Sequence, residues 1–87
     1  MYKILLEKSV QKFLEKQKWQ DIIYKFEKAI TILSIDPYEN NLDIKVLKWL
    51  PFCYRLRIWD YRFLYEIIDD ELVISFFESW SRWDIYK

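Results

Sequence analysis

The chain has no histidine and no glycine, and only one cysteine and two prolines, among 87 residues. Each scarcity removes chemistry. Without histidine there is no Ser-His or Cys-His nucleophile pair, no imidazole metal site and no imidazole base. Without glycine there is no phosphate-cradling P-loop and no GxGxxG turn. A single cysteine excludes a disulfide framework and a thiolate zinc cage. Long apolar runs are also lacking, and none approaches the roughly 18 residues that cross a bilayer. The segment Met1 to Glu7 is too short and too soon acidic for a secretory signal. The expectation is one cytoplasmic domain over residues 1–87, with no metal, no cofactor and no membrane partner.

What is present is apolar and aromatic. Hydrophobic residues make up 53% of the chain and aromatic ones 21%, enough for a small packed core without staples. Tyr2 to Leu6 reads as a first strand. Ser9 is a fair N-cap, and Val10, Phe13 and Leu14 follow it at helical spacing. Lys16 to Gln20 reads as a turn, and Asp21 as a second N-cap. Ile22, Phe26, Ala29, Ile30 and Leu33 then form a stripe of helical period. Asp36-Pro37 ends that helix, because the residue before proline avoids the α region. Tyr38 to Asp43 is polar and reads as a loop.

From Leu50 the period changes to two. Tyr54, Leu56 and Ile58 alternate with Cys53, Arg55 and Arg57. Tyr61, Phe63, Tyr65 and Ile67 alternate with Arg62, Leu64 and Glu66. Leu72, Ile74 and Phe76 alternate with Val73, Ser75 and Phe77. This predicts a three-strand meander with two-residue loops at Trp59-Asp60 and Asp69-Asp70. Tyr65 should then face Ile74, and Phe63 should face Phe76. The fold class is α+β: an N-terminal strand and an αα-hairpin packed on one face of a largely antiparallel sheet of three to four strands.

That register places Arg57 opposite Arg62 on the other face, beside Arg55. Like charges opposite each other in a sheet are destabilising unless an anion resolves them or the side chains splay into solvent. The net charge of zero hides a polarity. Residues 45–62 carry Lys45, Lys48, Arg55, Arg57 and Arg62 against Asp60 alone. Residues 63–87 carry six acids against Arg82 and Lys87. Arginine suits bidentate phosphate contacts. A neutral chain with one basic sheet face points to a focused anion site. Leu64, Val73 and Phe77 on that face suggest an apolar partner surface. Glu66 is expected to pair with an arginine, and Cys53 to be a packed small residue rather than a nucleophile.

The block Cys53-Tyr54-Arg55-Leu56-Arg57-Ile58, Asp60-Tyr61-Arg62-Phe63-Leu64-Tyr65-Glu66-Ile67 and the ending Ser81-Arg82-x-Asp84-Ile85-Tyr86 resemble the RelE/ParE toxin superfamily, RelE-like toxins most closely. The resemblance covers the whole chain. It implies a metal-independent endoribonuclease that cuts mRNA on the ribosome: the 2′-hydroxyl attacks the adjacent phosphate and leaves a cyclic phosphate. It also implies a cognate antitoxin and a ribosome with bound mRNA as partners. By position, Arg62 would stabilise transition-state charge, Arg82 would sit at the leaving oxygen, and Tyr86 would stack on a base. Arg55 and Arg57 stand where relatives carry lysine, and Lys45 and Lys48 would contact RNA at the rim. Arginine stays protonated, so Arg55 and Arg57 clamp phosphate rather than accept a proton. Lys48, Tyr86 or a ribosomal group remain as bases. A ParE-like gyrase poison without nuclease chemistry, or an inactive homologue, are the alternatives; the Arg82 to Tyr86 ending favours the nuclease. Leu64, Val73 and Phe77 would meet the antitoxin.

All five tryptophans fall where glycine is ordinary, while about six glycines would be expected at average usage. Family members carry glycine after the Lys48 position, before Asp60, and around the final arginine. Here Trp49, Trp59, Trp80 and Trp83 stand there, and Trp19 lies in the αα turn, where a C-cap glycine is common. Some bacterial codes read UGA as glycine, and another reads it as tryptophan. Mistranslation of UGA accounts for both anomalies at once. The five codons in the gene are expected to be UGA; a single UGG among them overturns this origin.

Overall fold

The computed structural model describes residues 1–17 and 20–82. Trp19, Trp83 and Tyr86 lie outside the described residues. In chain order the elements are β1 (Lys3–Leu6), α1 (Lys8–Glu15), α2 (Gln20–Ile35), β2 (Asp43–Val46), β3 (Cys53–Ile58), β4 (Tyr61–Ile68), a 3-10 turn (Asp69–Glu71) and β5 (Val73–Ser81). The strands form one sheet in the order β1-β5-β4-β3-β2. β1 pairs parallel with β5, and the other neighbours are antiparallel. The fold class is the expected α+β, with five strands where three or four were expected.

The fifth strand begins at Asp43, the last residue of the segment read as a loop, and continues through Val46. Asp43-Ile44-Lys45-Val46 alternates polar and apolar residues, and Ile44 packs against the core from the sheet edge. The helix starts also move. Glu7 precedes α1 without a side-chain cap, and the hydroxyl of Ser9 donates instead to the Phe77 carbonyl at 3.3 Å. Asp21 lies inside the first turn of α2, where a negative charge complements the helix dipole. Beyond α2, the Asp36 carboxylate accepts the backbone N–H groups of Tyr38 and Glu39 and so turns the chain.

The core lies between the helices and one sheet face. Val10, Ile22, Phe26, Ala29 and Leu33 meet Leu56, Phe63, Tyr65, Ile67, Ile74 and Phe76. Phe26 is the hub, with its ring centroid 4.5 Å from Phe63 and 5.2 Å from Phe76. Truncating a buried ring of this kind costs about 3–5 kcal/mol. An exposed ion pair contributes only about 0–1 kcal/mol. Packing across this layer, not surface charge, therefore holds the helices on one sheet face and leaves the other uncovered.

The β3–β4 hairpin has the expected two-residue loop and register, with Ile58 opposite Tyr61 and Arg57 opposite Arg62. The β4–β5 register differs from the expectation by two residues. Ile67 pairs with Ile74 and Tyr65 with Phe76, because the loop runs from Asp69 to Leu72. Leu72, expected on the core face, is instead half exposed and left-handed, with φ of 55°. A bulge between Leu64 and Tyr65 then shifts the register again. Continued regular pairing would place Glu78 opposite Phe63, over the core. The bulge turns Glu78 outward opposite Leu64 and sets Ser79 opposite Phe63.

The longer loop is anchored at Asp69. Tyr2 donates to one carboxylate oxygen at 2.5 Å and Tyr38 to the other at 2.6 Å. The chain's beginning, the segment after α2 and the β4–β5 loop thus meet at one carboxylate. The two hydroxyl bonds favour its charged form and hold the Asp69 carboxyl below its ordinary range. The same bonds raise the two tyrosines. A depressed carboxyl stabilises the fold above its unfolded value of about 3.9 and ceases to do so as pH falls through the folded value. Asp69→Asn is expected to lower the melting temperature at neutral pH. The gap from the parent should begin to narrow below about pH 4 and close as pH falls through the folded value; a gap independent of pH contradicts the tyrosine clamp.

Three described residues adopt positive φ: Phe52, Trp59 and Leu72. Of the three described tryptophans, only Trp59 has the glycine-like backbone, with φ of 54°. It is the first residue of the two-residue hairpin loop, where such a conformation is required. A left-handed residue with a side chain costs about 1–2 kcal/mol. The Lys25 ammonium, 5.1 Å from the Trp59 ring centroid, offsets part of that. Trp59→Gly is therefore expected to stabilise the chain by about 1 kcal/mol in thermal unfolding. A loss of stability would show that the indole contact outweighs the strain.

Candidate nucleic-acid interface

The sheet face away from the helices carries the charges. Pairing across β2, β3, β4 and β5 aligns them in rows. One row reads Asp43, Arg57, Arg62, Trp80, and the next reads Lys45, Arg55, Leu64, Glu78. These residues share a face because side chains in a strand alternate, and the bulge keeps Glu78 and Trp80 on it.

The Arg57–Arg62 pair, expected from the sequence, is thus present in the register. The charges are resolved from both sides. The Asp43 carboxylate lies 3.1 Å from Arg57 Nε, both side chains being about half exposed. Arg62 turns the other way, and its Nη1 donates to the carbonyls of Trp59 and Tyr61 at 3.1 and 3.2 Å. Arg82 reaches the same turn. Its backbone N–H donates to the Asp60 carbonyl at 2.8 Å, and its guanidinium lies 3.9 Å from the Asp60 carboxylate. Arg57, Arg62 and Arg82 therefore gather at the Trp59-Asp60 end of the sheet.

Other candidates are placed differently. Arg55 and Lys45 form the second row, one two-residue step inward. Lys48 follows β2 and sits in the turn at the opposite end of β3, away from the three arginines. Tyr86 lies outside the described residues. Glu66, expected beside an arginine, has Cys53 and Ser75 as its register neighbours. The acids that do pair are Asp60, at the hairpin turn, and, within the arginine row, Asp43. Sequence reasoning missed Asp43 because its segment was read as a loop; the alternation of Asp43 to Val46 was the available signal.

The apolar residues of this face are more covered than their spacing suggests. Leu64 is 7% exposed and Val73 8% exposed. Leu64 packs in a second small core with Leu47, Cys53, Phe77 and Trp80. Only Phe77 of the three proposed contact residues keeps appreciable access. Around the β2–β3 turn, Val46 and Phe52 are 67% and 70% exposed, but Val46 shares the strand face of Ile44, opposite to that of Asp43 and Lys45. Burial pushes the Cys53 thiol up, and the Glu66 carboxylate adds to this. Cys53 is thus a packed residue with little thiolate character.

Among the described residues no group of three or more acidic or cysteine side chains is placed to hold a metal ion. No described helix is long and apolar enough to cross a membrane. The arrangement can hold an anion between two arginines of neighbouring strands, with a third at the strand end.

No family model matches the chain, and no curated protein matches it. Solved structures do. A chain of the archaeal RelE–RelB complex from Pyrococcus horikoshii matches with a TM-score of 0.80 at 25% identity, over 93% of this chain and 94% of that one. A chain of the RelB–RelE antitoxin–toxin complex from Methanococcus jannaschii gives 0.76 at 28% identity, over 94% of each chain. The fold of this chain is RelE-like. The isolated E. coli RelE toxin shares the fold at a TM-score of 0.76 and 18% identity, over 93% of this chain and 84% of that one. The RelE-like chain carries its arginines on the sheet face that the αα-hairpin leaves uncovered.

Proposed function

We propose that this chain is the toxin of a toxin–antitoxin pair and cuts mRNA on the ribosome, in the cytoplasm. The observation that carries the reading is the convergence of Arg57, Arg62 and Arg82 at one end of the free sheet face. The likeness to RelE chains solved with RelB supports it.

In this reading an mRNA phosphate lies over the arginine row. Its neighbouring 2′-hydroxyl attacks phosphorus, and the bond to the 5′-oxygen breaks. Arg62 stabilises the added charge on the phosphorane-like transition state. Arg82 faces the leaving oxygen, and Tyr86 stacks on a base. Arg55 and Arg57 clamp the backbone, and Lys45 extends the track. The hydroxyl proton passes to a group outside the arginine set, because arginine stays protonated. Lys48, at the far end of β3, serves RNA contact rather than proton transfer. The antitoxin covers the same face. Phe77 supplies an apolar contact there, with Leu64 packed beside it.

Expression of the chain is expected to arrest growth and to produce cut mRNA only when ribosomes are present, read as new 5′ ends by primer extension. Arg62→Ala and Arg82→Ala should each slow cleavage by about 10²–10³-fold, the usual effect of removing one transition-state donor. Arrest with intact mRNA and a DNA-damage response would replace this reading with a ParE-like one.

A further inference from the structure

The one carboxylate in the arginine row calls for a role. Asp43 sits on the edge strand β2, opposite Arg57, and its Oδ2 lies 3.1 Å from Arg57 Nε. On its other side Arg57 has only Arg62 as register neighbour. Asp43 therefore stands where an arriving anion would stand, on one arm of the arginine pair. It is tethered by its own strand, so it competes at high effective concentration. An exposed ion pair of this sort is worth little in stability. Its electrostatic effect on a second anion nearby is comparatively large, since one unit charge a few ångströms away repels another by about 1 kcal/mol even in water.

We propose that Asp43 is a specificity-determining residue that masks Arg57 and suppresses binding of free RNA. Resting on the reading that this face meets an RNA strand, the inference adds how that strand is discriminated. A single strand alone meets an arginine row already partly neutralised. Displacing Asp43 requires additional contacts, of the kind a strand held on a larger particle supplies. The second row, Lys45 and Arg55, lies one two-residue step along β3, about 7 Å away. That step is of the order of the separation between consecutive phosphates, so an engaged strand can occupy both rows while the carboxylate swings out.

The test uses the full chain and a short 2′-O-methyl oligoribonucleotide, which binds but cannot be cut by its own 2′-oxygen. Affinity is read by fluorescence anisotropy over a salt series. Asp43→Asn is expected to bind about five- to tenfold more tightly than the parent, the effect of removing one nearby unit charge. Its salt slope should steepen by about 0.7, one further phosphate contact on a single strand. Asp43→Glu, which keeps the charge, should bind like the parent. In an Arg57→Ala background the gain should vanish. Equal or weaker binding by Asp43→Asn overturns the proposal, as does a gain that survives loss of Arg57. Absence of detectable binding by both parent and Asp43→Asn overturns it as well. The outcome is separable from the cleavage assay. A chain that cuts no mRNA but shows the gain loses the nuclease reading and keeps the mask; a chain that cuts but shows no gain does the reverse.

Discussion

The alternation along β4 is the constraint on which the molecule depends. Tyr61, Phe63, Tyr65 and Ile67 go toward the helices, and Arg62, Leu64 and Glu66 go away from them. β4 is also the central strand, bonded to β3 on one side and β5 on the other. A slip of one residue there would bury an arginine and expose three aromatic rings. The Phe26 contact with Phe63 and Phe76 resists that slip, because burying a charge without a partner costs far more than any hydrogen bond regained. Core packing thus decides where the arginines point.

The same constraint explains the bulge. β5 must bring Ile74 and Phe76 to the core, yet it carries Glu78 two residues later. Strict alternation would take Glu78 to the same apolar face. One irregularity between Leu64 and Tyr65 turns the carboxylate out and delivers Trp80 to the arginine row. A local backbone defect is the cheaper solution when the alternative is a buried charge. It also moves Ser79 onto the core side, where its hydroxyl is buried without a hydrogen-bond partner among the described residues.

The charged face is less a bare cationic surface than a set of held arginines. Arg57 rests against Asp43, Arg62 against the carbonyls of the hairpin, and Arg82 against Asp60. The two ion pairs are exposed and weak, so an incoming phosphate can replace them. The value of the three tethers is positional: they gather three guanidiniums near one turn before anything binds. The strained residue of the β3–β4 hairpin, Trp59, lies in that turn, and its carbonyl accepts from Arg62. Loop conformation and site geometry are therefore linked at one backbone position.

Much of this was legible in the residues alone. Period-two alternation located β3, β4 and β5, the Trp59-Asp60 loop set the first hairpin register, and with it the opposition of Arg57 and Arg62 followed. The helical stripe from Ile22 to Leu33 identified the covering layer. These features are local, and local periodicity reports them. The pairing of β2 with β3, the parallel partnership of β1 and β5, the four-residue loop clamped on Asp69 and the bulge were not legible. Each depends on contacts between segments far apart in the chain: Asp43 with Arg57, Tyr2 and Tyr38 with Asp69. The sequence by itself determined which side chains are charged, which are apolar and, where a strand runs without a bulge, which of them share a face. Only the tertiary structure decided which charges meet, because strand order and register are set by the packing of the whole sheet on its helices.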